Sequence, residues 1–198
     1  MAIIHRTTLT PGKLELLAAW LPAQPWYADQ GRAPQLARAG GFRLDDPEGE
    51  VGIEFMVATD GGGDAAIAYL VPMTYRGAAL DGADEALIGT TEHGVLGRRW
   101  IYDGISDPVL LGQLDALVLG QAQPQMQGVS ETPDPTVTCV PLSADGAGGG
   151  QLVVAINRVL EAEADAGVTP GRLYAGWRLP DGTTVRGCLA SARYAQAG

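Results

Sequence analysis

Val51-Gly-Ile-Glu-Phe-Met-Val-Ala-Thr59, then Asp60-Gly-Gly-Gly-Asp64, then Ala66-Ile-Ala-Tyr-Leu-Val-Pro-Met-Thr-Tyr75, is the stretch that decides the fold. Ile53, Phe55 and Val57 alternate with their neighbours, the period of a half-buried strand. The glycine run is a turn, and the second stretch is the return strand, with Pro72 pointing to an edge or a bulge. Upstream, Phe42 to Asp45 is strand-like, and Asp46-Pro47-Glu48-Gly49 has turn chemistry. Three strands joined by tight turns make an antiparallel meander.

Working toward the N-terminus, residues 28–40 read as a loop or short helix. Leu14, Leu17, Ala18 and Leu21 recur at three and four, one apolar helical face, with Thr10 as N-cap and Pro11 at the first helical position. Pro22 and Pro25 stop that helix, and Trp26 and Tyr27 fold back on its end. Ala2 to Arg6 reads as a short strand. Working toward the C-terminus, Leu80 to Thr91 holds a helical turn around Ala86, Leu87 and Ile88, and Arg98 to Ile101 is a strand. Ser106 or Asp107 caps a second helix that presents Val109, Leu110, Leu114, Leu117 and Val118 on one face. Gly120 to Pro135, rich in Gln, Pro and Gly, is a linker. Thr136 to Leu142, Leu152 to Leu160, Arg172 to Leu179 and Thr184 to Ala192 are strands, the last two hinged at Pro180-Asp181-Gly182. Gly146 to Gly150 is a loop. The expected class is α+β: a curved antiparallel sheet packed by an N-terminal helix, with a second helix and further C-terminal antiparallel strands.

The chain has 198 residues, 46% hydrophobic and 18% charged, enough to bury a core. Its net charge of −10 argues against nucleic acid and against anionic lipid as partners. No signal peptide or 18-residue apolar run is present, so the expected location is cytoplasmic. Two cysteines make no disulfide scaffold, and Cys139 and Cys188 read as buried thiols on neighbouring strands. His5 and His93 have no metal-ligand spacing, and no cofactor is expected. Neither glycine run carries a phosphate-binding lysine pattern.

The densest chemistry lies in Glu92-His-Gly-Val-Leu-Gly-Arg-Arg-Trp-Ile-Tyr-Asp103. Paired arginines beside aromatics can hold a carboxylate or phosphate. Equally, Trp100 and Tyr102 can face a core while Arg98 and Arg99 pair with acids. Trp26, Tyr27 and Trp177 form a second aromatic set, suited to sugar stacking or to closing a core.

Leu14, Leu17, Ala18 and Trp20-Leu21-Pro22, followed by Pro25-Trp26-Tyr27, resemble the opening of the N-terminal cap of bacterial maltokinases. Pro72-Met-Thr-Tyr-Arg76, Ala86-Leu-Ile-Gly89, Tyr102-Asp103-Gly104 and Asp107-Pro108 are similar to the middle of those caps, with their Y-D-[AG]-x-x-D-P element. The resemblance spans roughly residues 2–120. It implies a cystatin-like helix on a curved sheet, residues 1–125 as the cap-like domain, and residues 126–198 as a strand-rich extension packed on the same body. The chain lacks the H-x-D loop, the metal-binding Asp motif and the phosphate lysine of a kinase, so the resemblance implies a cap without the kinase chemistry.

The expected function is therefore a non-catalytic accessory or regulatory protein of glycogen, maltose or trehalose metabolism. Its partner would be an α-glucan or trehalose-pathway enzyme, or a sugar. Candidate binding residues are Tyr75, Arg76, His93, Arg98, Arg99, Trp100, Tyr102 and Asp103. Two alternatives compete: a small-molecule enzyme pairing His93 with Glu92 or Asp103 in a cone-shaped pocket, and a structural module that self-assembles, as a homodimer, through its edge strands.

Overall fold

The computed structural model describes residues 8–143, 150–163 and 169–195. The strand read at Ala2 to Arg6 and most of the Gly146 to Gly150 loop lie outside them. Elements run in the order β1 (Leu9–Thr10), α1 (Lys13–Trp20), β2 (Leu36–Leu44), β3 (Gly52–Asp60), β4 (Ile67–Arg76), β5 (Leu87–His93) and β6 (Gly97–Asp103). They continue as α2 (Pro108–Val118), β7 (Thr138–Cys139), β8 (Gln151–Ile156), β9 (Val159–Leu160), β10 (Arg172–Arg178) and β11 (Thr184–Ala195). The class is α+β: these strands form one sheet in the order β1-β5-β6-β4-β3-β2-β10-β11-β8, with β7 on β10 and β9 on β4.

The β9–β4 pairing curls the sheet into a ring. Residues 151–160 pair with β11 through β8, then with Ala68 and Tyr69 of β4 through β9. Six segments thus close around one interior: β4, β3, β2, β10, β11 and the β8–β9 run. Pro72 sits where the partner of β4 changes. Along β4, the pairing with β9 stops at Tyr69, and the pairing with β6 starts at Met73. The Leu70 N–H donates toward this side, to the Arg158 carbonyl, so the N–H that Pro72 lacks would point into the gap between them.

Alternation along β3 and β4 sends side chains to two cores. Ile53, Phe55, Val57, Ala68 and Leu70 face the ring interior, where they meet Phe42, Leu110, Leu114, Leu173, Trp177 and Leu189. Phe42 and Phe55, directly paired across β2 and β3, stack with centroids 4.6 Å apart. Met56, Val71 and Met73 face outward, where Leu17, Leu21, Trp20 and Trp26 cover them. Each such large side chain contributes about 1.5–3 kcal/mol on burial.

Several local expectations are corrected. β2 begins at Leu36 inside the stretch read as loop or helix. Its Ala-Arg-Ala-Gly-Gly sequence has no strand-favouring side chain, and pairing with β3 decides it. There the register shifts between Arg38 and Gly40, and Gly41 holds φ at +120°, where a Cβ would stand 2.0 Å from the Phe55 carbonyl oxygen. The helical turn expected at 86–88 is a short 3-10 turn at Asp84–Ala86 that leads directly into β5. Gly12, not Thr10, caps α1, and the Glu15 carboxylate accepts from its N–H at 3.1 Å. The strand expected over 136–142 shrinks to β7 between Pro135 and Pro141. The linker at 120–135 is instead built into the body. Gln125 and Arg43 exchange backbone hydrogen bonds at 2.8 and 2.9 Å.

Candidate functional site

The Tyr102-Asp103-Gly104-Ile105-Ser106-Asp107-Pro108 element turns β6 into α2, and its Tyr102 and Asp107 side chains serve that corner. Asp107 caps α2, accepting from the Val109 N–H at 3.0 Å, with Pro108 at the first helical position. The Arg76 guanidinium grips the same fully buried carboxylate through Nε at 2.6 Å and Nη2 at 2.7 Å. Burial is the largest effect and opposes charge on Asp107, but the donors around it and the Arg76 charge, led by the Arg76 hydrogen bonds, together hold its pKa below the ordinary value. Tyr102 is buried, and its hydroxyl accepts from the Leu80 N–H at 2.9 Å. A Cβ on Gly104 would lie 2.2 Å from Leu110 Cδ1, so any side chain there displaces Leu110 from its place on α2.

Asp103 links the two halves of the chain. Both its oxygens accept from Arg158 Nη2, at 2.8 and 2.6 Å. The Arg158 guanidinium also lies 5.0 Å from the centre of the Trp26 ring. Around Trp26 the outer face of the sheet carries an aromatic cluster. Trp20 meets Trp26 edge-on at 5.8 Å, and Tyr69 stands 6.0 Å from Trp26 and 5.6 Å from Tyr27. Beside it, fully buried Asp60 accepts from Tyr27 Oη at 3.0 Å, Arg32 Nη1 at 2.9 Å and the Gln35 N–H at 2.8 Å. Burial raises the cost of its charge, yet these donors together keep its pKa below the usual carboxylate value.

A second polar knot forms on the same outer face. Buried Glu54 takes Lys13 Nζ at 2.5 Å and the Tyr75 hydroxyl at 2.6 Å on one oxygen, and Gln127 Nε2 at 2.9 Å on the other. Burial first, then the Glu54 charge, pushes Tyr75 well above its ordinary pKa.

The sequence-selected residues therefore do not converge. Tyr75 belongs to the Glu54 knot, Arg76 and Tyr102 to the corner, and Asp103 to Arg158. His93 sits at the tip of the β5–β6 hairpin, where its Nδ1 accepts from the Val95 and Leu96 N–H groups at 3.3 and 3.0 Å. Arg98 pairs with Glu92 at 3.0 Å, with both side chains about 60% exposed, which contributes little. Arg99 lies against Gly77, and Trp100 is half-buried opposite Arg76 and Thr90. Gly97 faces His93 on the ladder, and Asp103 lies six residues further on, roughly 20 Å away. Glu92 and His93, adjacent on one strand, point to opposite faces. Trp26 and Trp177 lie on opposite faces of the sheet, so the second aromatic set also divides.

Sequence reading missed Glu54, Asp60, Lys13, Arg32, Gln127 and Arg158. Arg158 carried the one available signal, a lone cation inside an apolar run. Asp60 read as a turn residue, although it ends β3 with its carboxylate buried. The thiols of Cys139 and Cys188, on strands flanking β10, are raised by burial and so are poor nucleophiles. A cleft of about 490 Å³ beside the start of α2 is lined by Asp81, Asp84, Glu85, Ser106 and Pro108 among others. Among the described residues, no group of three His, Cys, Asp or Glu could hold a metal ion, and no helix is long and apolar enough to cross a membrane.

Tyr27 gives a direct optical test of the Asp60 cluster. Burial, then its hydrogen bond to Asp60 and the Asp60 charge, push its pKa up to about 12. The unfolded chain loses that proton near 10, so stability is expected to decline as pH rises from 10 to about 12. In an alkaline absorbance titration, the Tyr27→Phe variant should lose a tyrosine step near pH 12. Loss of a step near 10 instead would place Tyr27 in solvent.

Residues 20–107, under half of the chain, match the family model of the maltokinase N-terminal cap domain. The matched segment holds Trp20, Trp26, Tyr27, Asp60, Tyr69, Arg76, Asp103 and Asp107, whereas Arg158 and the strands that close the ring lie beyond it. No curated protein matches the chain.

Proposed function

We propose that the chain, whose residues 20–107 match the maltokinase N-terminal cap domain, acts as a non-catalytic accessory or regulatory protein in maltose- and trehalose-related metabolism. It does so by docking on a partner enzyme of α-glucan or trehalose chemistry. One observation carries this reading: the buried carboxylates of the matched segment are each held by a cation, two of them supplied from outside that segment. Arg76 holds Asp107, Arg158 holds Asp103, Arg32 and Tyr27 hold Asp60, and Lys13 and Tyr75 hold Glu54. An active site keeps such groups convergent and available to substrate. Here they rigidify a scaffold, which leaves its surface to act.

A protein partner fits the Trp26 patch better than a sugar does. Arg158 already covers one face of the Trp26 ring, which leaves less of it for a sugar to stack on. The half-exposed Trp20, Trp26 and Tyr27 remain as the amphipathic rim typical of docking anchors.

The test is a pull-down of the tagged chain from its native cytosol, read by mass spectrometry, beside calorimetric titration with maltose, maltooligosaccharides and trehalose. Recovery of a glucan- or trehalose-pathway enzyme, reduced at least tenfold by Trp26→Ala, is the expected result. Recovery of no such enzyme together with silent titrations would refute the reading. Sugar binding without a partner would transfer the role to a sugar ligand.

A further inference from the structure

The two helices leave the outer face of the C-terminal strands open. The apolar cluster under α1 draws on β2 to β6 and on no residue of β8, β10 or β11, while α2 packs on the ring interior. Alternation assigns the side chains of that open face. Leu173, Ala175 and Trp177 of β10 point into the interior, so Arg172, Tyr174 and Arg178 point out. On β11, Val185 packs on the interior and Arg186 points out. Arg193 pairs with Val153 of β8, whose neighbour Val154 packs inside, so Arg193 points out as well.

Four arginines thus share one face, and a single acid, Asp181, accompanies them across residues 172–193. Its carboxylate is engaged in the hairpin turn, where it accepts from the Thr183 N–H at 2.7 Å. Six other cations, Lys13, Arg32, Arg43, Arg76, Arg98 and Arg158, each hold a carboxylate. None of the four arginines forms an ion pair among the described residues, although the chain holds 23 acids against 13 Lys and Arg. Glu163 acts on Arg172 through space, without an ion pair. The face is therefore left positive in a chain of net charge −10.

The arginines are also set in a row. Arg172 Nη1 donates to the Tyr174 hydroxyl at 3.2 Å, and the Arg186 guanidinium lies 5.9 Å from the centre of the same ring. Arg186 Nη1 also donates to the Thr136 carbonyl at 2.7 Å, and its Nη2 to the Thr138 hydroxyl. Along the ladder, Arg178 stands level with Thr184, Arg186 with Gly176 and Arg172 with Ser191, and Arg193 follows two residues further. At about 3.4 Å per residue, Arg186, Arg172 and Arg193 stand roughly 7, 20 and 27 Å along the strands from Arg178.

We infer that this face is a docking surface for an extended acidic segment of a protein partner. A small anion fits it less well, because four charges strung over about 27 Å do not converge on one phosphate or carboxylate. Nucleic acid and an anionic bilayer also fit less well, since each runs past the row and meets the acidic remainder of the chain. An extended segment of about eight residues spans the row. Its alternate side chains recur about every 7 Å on one side, the spacing from Arg178 to Arg186 and from Arg172 to Arg193. Glutamates at those positions each meet a guanidinium fork. The face lies beyond the segment matched to the cap domain, and the inference stands independently of the partner reading above.

Fluorescence anisotropy of the full chain with a labelled peptide of alternating Glu and Ser, about ten residues long, tests this at about 20 mM salt, where screening is weak. Saturable binding is the expected result. Arg178→Ser combined with Arg193→Ser, both exposed, should weaken it at least tenfold with the melting temperature unchanged. Arg98→Ser combined with Arg99→Ser removes the same charge from the β5–β6 hairpin and should weaken it about twofold at most. No binding by the wild-type chain would overturn the inference. So would equal weakening by the two pairs, which would mean that net charge alone attracts the peptide. Tighter binding of a single-stranded oligonucleotide of the same charge, or of phosphatidylserine vesicles, would also overturn it and assign the row to that polyanion.

Discussion

Asp107→Ala is expected to lower unfolding stability by about 3–5 kcal/mol, because it strands the Arg76 guanidinium in the corner between β4 and α2. It also removes the cap of α2, about 1 kcal/mol more. Urea denaturation followed by circular dichroism measures the loss. Asp107→Asn separates the two terms, since the amide still caps the helix but no longer neutralises Arg76. The same residue sets an acid limit. Its folded pKa lies below the ordinary carboxylate value, as does that of Asp60, so their contribution is present above the unfolded pKa near 3.8. It is lost as pH falls below that through the folded values. In Asp107→Asn the decline between pH 4 and pH 2 should be shallower than in the wild type. An Asp107→Ala change below 1 kcal/mol would show that the corner is held by apolar packing alone.

Trp177→Ala is the second large effect, about 3–5 kcal/mol for an indole that is 3% exposed in the ring interior. Its position makes the consequence local as well as global. Trp177 and Gly40 are the single ladder pair that joins β2 to β10, the seam between the cap segment and the C-terminal strands. Gly40 is tight there, since an added Cβ would stand 3.0 Å from the Gly176 carbonyl. Hydrogen exchange should therefore accelerate first across residues 36–44 and 172–178. Uniform acceleration over the whole chain would mean that the ring opens as one unit and has no weak seam.

Legibility from sequence followed the range of the forces involved. The β3–β4 meander was readable because alternation and a glycine turn are local. The capping of α2 by Asp107 and Pro108 was equally local, as was the hairpin at Pro180-Asp181-Gly182. β2 was not readable over Leu36–Gly41, where its residues have little strand preference and the partner strand decides. The linker at 120–135 was misjudged for the same reason. Its Gln127 is ordered by Glu54, 73 residues away, a buried carboxylate that requires donors. The candidate site fared worse. Tyr75, Arg76, Tyr102 and Asp103 were picked as unusual residues, and each is unusual because it builds the scaffold. Their partners, Glu54, Asp107, Leu80 and Arg158, are distant or unremarkable in sequence.

What the sequence by itself determined is the α+β class, the two helices, most strands and the order of the cap motifs, because propensity, capping and hydrophobic period act over a few residues. What only the tertiary structure decided is the closing of the sheet by β8 to β11 and the partners of the buried carboxylates Glu54, Asp60, Asp103 and Asp107. Those depend on which strand meets which, and on where a desolvated carboxylate finds its cation. Such terms are set by burial and distance in three dimensions, and no local pattern encodes them.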